Sequence, residues 1–122
     1  MPIRKLLISC TVLTAFAGNA LAGGASVDKI VAQQASDGSW RFDVTVSHGD
    51  EGWDHYADAW EVLTPDGELL GRRVLAHPHV EEQPFTRSKS GIKIPDGLDH
   101  VMVRARDSVH GYDGAAVRYD LK

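Results

Sequence analysis

Cysteine is almost absent from this chain. The one that occurs, Cys10, lies in the apolar leader and not among the residues expected to fold. Disulfides, CxxC redox chemistry and thiolate metal sites are therefore excluded from everything after residue 22. Long apolar runs are missing too: the longest, Leu6 to Ala17, covers about twelve residues, against the ~20 of a bilayer-spanning helix. Basic charge is scarce, with 13 Lys and Arg against 17 Asp and Glu. Without Arg4 and Lys5 the basic side chains fall to 11, for a net charge of −6. Such a surface, with no Lys/Arg cluster to interrupt it, repels phosphate backbones and argues against nucleic acid as a partner. Catalytic signatures are also lacking: there is no Gly-x-Ser-x-Gly elbow, no His-Glu-x-x-His and no phosphate-binding glycine loop. The sequence leans away from an enzyme.

What is present begins with a secretory signal pattern. Arg4-Lys5 forms a basic start, Leu6 to Ala17 the apolar stretch, and Ala20-Leu21-Ala22 the small-residue site. Cleavage is expected after Ala22, dividing the chain into a signal peptide at 1–22 and one domain at 23–122. No stable membrane span is expected after that cut, and the destination is periplasmic or secreted. Leu7-Ile8-Ser9-Cys10 resembles a lipoprotein processing site. Cutting there would leave too short an apolar region and strand Thr11 to Ala17 on the mature chain, so Cys10 reads as part of the signal.

The domain carries turn signals every ten or so residues. Trp40, Phe42, Val44 and Val46 alternate with polar residues, so one face of that segment is buried and the other wet. Further strands are expected at 26–35, 59–63, 69–75, 85–94, around Val101, Val103 and Ala105, and at 115–121. Asp37-Gly38 and two Pro-Asp-Gly turns, at Pro65 and Pro95, separate some of them. No segment has a helical period. The fold class is all-β: a seven-stranded antiparallel immunoglobulin-like β-sandwich preceded by a signal peptide.

The stretches Trp53-Asp-His-Tyr-Ala-Asp-Ala-Trp60 and His77-Pro-His-Val-Glu-Glu-Gln-Pro-Phe-Thr-Arg-Ser88 resemble a family of small exported bacterial proteins with an immunoglobulin-like or fibronectin-type sandwich. The resemblance covers most of the domain. It implies export and supplies no activity.

If each strand reverses the one before, loops alternate between the two ends of the sandwich. One end then gathers the loops near 48–58, 76–84 and 107–114, and with them five of the six histidines: His48, His55, His77, His79 and His110. His77-Pro78-His79 is the sharpest element, because residues i and i+2 of an extended chain project to one side. Pro78 favours that extended form. His48 continues the inward series of the Trp40 strand. His77, His79, His48 and His110 are the expected metal ligands. His55, Asp58 and Asp107 are further donors, and Trp53, Tyr56 and Tyr112 accompany them as partner contacts. Imidazole and carboxylate donors suit Cu(II) or Zn(II). The leading expectation is a non-enzymatic metal-binding protein. The alternative is a periplasmic protein-interaction or structural module whose aromatic loops contact a partner, with the histidines tying loops together.

Overall fold

The computed structural model describes residues 24–112 and 114–122. The expected signal peptide at 1–22, Gly23 and Asp113 lie outside the described residues. Seven strands follow in order: β1 (Ser26–Gln34), β2 (Trp40–Ser47), β3 (Ala57–Leu63), β4 (Leu69–Val74), β5 (Phe85–Ile92), β6 (His100–Asp107) and β7 (Val117–Asp120). They form a three-stranded sheet, β1-β2-β5, and a four-stranded sheet, β4-β3-β6-β7. Every pairing is antiparallel, and no helix occurs among the described residues.

Period-2 patterning explains which faces meet. In β2 Phe42, Val44 and Val46 are buried; in β6 Val101, Val103 and Ala105 are. Trp60 and Val62 of β3, Phe85 and Ile92 of β5 and Leu75 complete a core contributed by both sheets. Burying each large apolar side chain is worth roughly 1.5–3 kcal/mol, and this core is the main term holding the sheets together. Tyr119 of β7 meets the edge of Phe42 at 5.9 Å, so the short last strand is tied to the opposite sheet. The sheets approach closely at Gly71, where a Cβ would stand 2.9 Å from Ile92 Cγ1.

Strand limits differ from the sequence expectation at a few ends. β3 starts two residues early because Ala57 pairs with Asp107. β7 starts at Val117 and not at Ala115, since its ladder reaches only the first half of β6. β5 stops at Ile92, while Ile94 packs against the core from beyond the strand. The wet face of the four-stranded sheet holds one buried charge. Glu61 is covered by Arg72 and Arg104, with the Arg104 guanidinium 3.9 Å from the Tyr112 ring centre.

β2 and β6 lie in opposite sheets and run toward the same end. Their inward series finish at His48 and Asp107, which places both residues where the core opens onto the loops.

Candidate functional site

The site is built around the Asp107 carboxylate, which is wholly buried. Its Oδ1 accepts the backbone N–H of Val109 at 2.8 Å and of His110 at 2.5 Å, folding the start of the β6–β7 loop over the strand end. Its Oδ2 faces three imidazoles: His48 Nε2 at 3.0 Å, His55 Nε2 at 3.1 Å and His110 Nδ1 at 2.9 Å. Burial alone would push the Asp107 carboxyl up. The backbone and ring donors of His110, with those of Val109 and His55, outweigh it and hold the carboxyl well below its ordinary 3.8.

Each of the first two imidazoles is gripped from behind by another carboxylate. His48 Nδ1 lies 2.6 Å from Asp50 Oδ1, and His55 Nδ1 lies 2.8 Å from Glu51 Oε1. Asp50 is itself a junction: Oδ1 accepts the Ala57 N–H at 3.0 Å and Oδ2 the His79 N–H at 2.7 Å. Gln83 adds a second tie, accepting from the His48 N–H and donating to the His79 carbonyl. The β2–β3 and β4–β5 loops are thereby locked to each other beside the buried imidazole.

A neutral imidazole has one N–H and one lone pair. Both ring nitrogens of His48, and both of His55, face a carboxylate oxygen, so a lone pair on either nitrogen would point at an acceptor. The conflict is relieved by a second proton on the ring or by a cation between the Nε2 atoms and Asp107. Donor atoms of His48, His55 and Asp107 all fall within 4.8 Å of one another, and this group could hold a metal ion. Two nitrogens and one oxygen suit zinc, copper or iron, and Nδ1 bonded to a carboxylate is the usual support for a metal-binding histidine.

His77 and His79 are placed outside this group. Their rings stand 4.6 Å apart, centre to centre, but Arg87 Nη2 donates to His79 Nε2 at 2.9 Å, and the His79 ring stacks on Phe85 at 3.9 Å. A guanidinium only donates, so it takes up the Nε2 lone pair of His79. His79 Nδ1 is buried without a hydrogen-bond partner among the described residues, and exposed His77 bonds its own loop through the Pro78 carbonyl. Asp58 pairs with Arg106. Tyr112 lies on the outer face of the four-stranded sheet beneath Arg104. Trp53 is 68% exposed and meets the Tyr56 ring edge-on at 5.7 Å, so it does not cap the core. His100 sits by Asp99, at the tight-turn end.

Nothing in the spacing of Asp50 and Glu51 singles them out from the other carboxylates of that loop end as positioning groups. One available signal is parity: His48 and Asp107 are each the next inward position after the apolar residues of their strands. His55 has no such signal, because it comes from a loop.

No protein-family model matches the chain, and no solved structure matches it. Over 98 residues it is 45% identical to a protein of Halomicrobium mukohataei described as a "Putative lipoprotein". That alignment takes in 80% of this chain and 48% of the relative, so the chain spans about half the length of the curated relative it matches.

Proposed function

We propose that this chain is an exported, non-enzymatic metal-binding domain in which His48, His55 and Asp107 hold Zn(II) or Cu(II). The observation that carries the reading is the pair of carboxylates behind the imidazoles. Asp50 and Glu51 take the Nδ1 sides, which leaves the Nε2 lone pairs aimed at Asp107. His110 donates to the same Asp107 oxygen and supports the site from its open side.

The strand order is consistent with an immunoglobulin-like sandwich of the fibronectin type. β1-β2-β5 and β3-β6-β7 correspond to strands A-B-E and C-F-G of that architecture, with β4 joined to the edge beside β3. The leader and the lipoprotein description of the relative both favour a place outside the cytoplasm, at the cell envelope.

Calorimetric titration of the purified domain with Zn(II) and Cu(II) tests the reading. One equivalent should bind, and His48→Ala with His55→Ala should abolish it. The double substitution His77→Ala with His79→Ala should leave it in place. Binding that survives loss of His48 and His55 would reject this site. No binding at all would leave the histidines as ties between loops, and exposed Trp53 as the feature favouring a partner-binding module.

A further inference from the structure

Burial is distributed unevenly around the Asp107 oxygen. The side chains of His48 and Asp107 are 2% and 0% exposed and form a closed floor, whereas those of His55 and His110 are 18% and 38% exposed. His110 also stands outside the set of mutually close donors, although its Nδ1 reaches the Asp107 oxygen. If Asp107 turns one lone pair of Oδ2 toward a metal, the other still accepts from His110. On that arrangement His110 steadies the ligand and does not itself coordinate.

From this asymmetry, and resting on the metal-binding reading above, we infer that the bound ion keeps an exchangeable coordination position on its solvent side, open to a small neutral nitrogen or oxygen donor. Three protein donors with one outward position is the arrangement of ligand-exchanging zinc sites, while closed structural sites use four. Charge selects the class of donor. Asp107 lies at the site, and Asp50 and Glu51 lie directly behind two of the imidazoles. Three carboxylates outnumber the charge of a divalent ion, and the nearby Arg106 is matched by its own partner Asp58, so the balance weighs against an incoming anion and not against a neutral donor such as an imidazole.

Co(II) supplies the probe, since its visible bands report the number and kind of its ligands. The Co(II)-loaded protein should show a saturable band shift with imidazole, with the metal retained after dialysis. Azide should need a higher concentration to act. His110→Ala should still show a saturable shift with imidazole, whatever its affinity for Co(II). Bands that ignore both reagents would overturn the inference and leave the metal site standing, as would a shift seen only in His110→Ala, which would mean that His110 fills the fourth position. A tighter response to azide would overturn the choice of a neutral donor. Co(II) bound equally well by the folded His48→Ala, His55→Ala variant would instead remove the underlying site, and the inference with it.

Discussion

Asp107 Oδ2 lies 3.0 Å from His48 Nε2, joining the ends of two strands that belong to opposite sheets, with both side chains shut off from solvent. This contact closes the loop end of the sandwich in the way that Trp60 and Phe42 fill its middle. It also puts a carboxylate and an imidazole where apolar residues would serve packing equally well, which gives the site its chemical interest.

Replacing Asp107 should therefore damage the fold as well as the site. Asp107→Ala removes one partner from each of the imidazoles of His48, His55 and His110 and frees two backbone N–H groups. Removing one member of a buried charged network costs roughly 3–5 kcal/mol. Urea denaturation of the metal-free protein should show a loss of that size. Asp107→Asn keeps an acceptor for the loop N–H groups and should cost less.

Acid should weaken the protein in two stages. Burial, followed by the charges of Arg87 and His77, lowers His79 below its ordinary 6.5. As pH falls through 6.5 the unfolded chain takes up a proton before the folded one, so stability declines on the acid side of neutrality. His79→Gln should flatten the fall in melting temperature between pH 7 and pH 5. Asp107 acts later. Its folded carboxyl is held below 3.8, so its contribution is intact above about pH 4 and fades as pH drops through the lower folded value. A melting temperature that declines equally in the His79 variant would contradict the first stage.

The tryptophans should respond in opposite ways. Trp60 is fully buried, and Trp60→Ala should cost about 3–5 kcal/mol. Trp53 is 68% exposed on its loop, and Trp53→Ala should stay within about 0.5 kcal/mol. Denaturation midpoints compare them directly. A large cost at Trp53 would mean that its loop is packed more tightly than its exposure indicates.

Intact mass spectrometry of the protein recovered from cells that express the full chain tests the expected leader. The expected product begins at Gly23, after Ala22. A product beginning at an acylated Cys10 would instead make it a lipoprotein.

Strand content was legible in the chain because burial on one face imposes a period of two. Phe42, Val44 and Val46, and likewise Val101, Val103 and Ala105, carry that period plainly. Strand ends were less legible. Whether Ala57 or Ala115 joins a ladder depends on a partner strand far away in sequence, as the Ala57 and Asp107 pairing illustrates.

For the candidate site, the sequence by itself determined the supply of donors: histidines and carboxylates, no thiols after residue 22, and parity that turns His48 and Asp107 inward. Only the tertiary structure decided which of them meet. His77 and His79 have the better local spacing, but Arg87 and Phe85 of β5 claim the His79 ring. His55, 52 residues from Asp107 in the chain, reaches the same oxygen as His48. Local spacing fixes the directions in which neighbouring side chains point. Convergence on one atom depends on how loops from two sheets are tied together, and Asp50 and Gln83 make those ties across long stretches of chain.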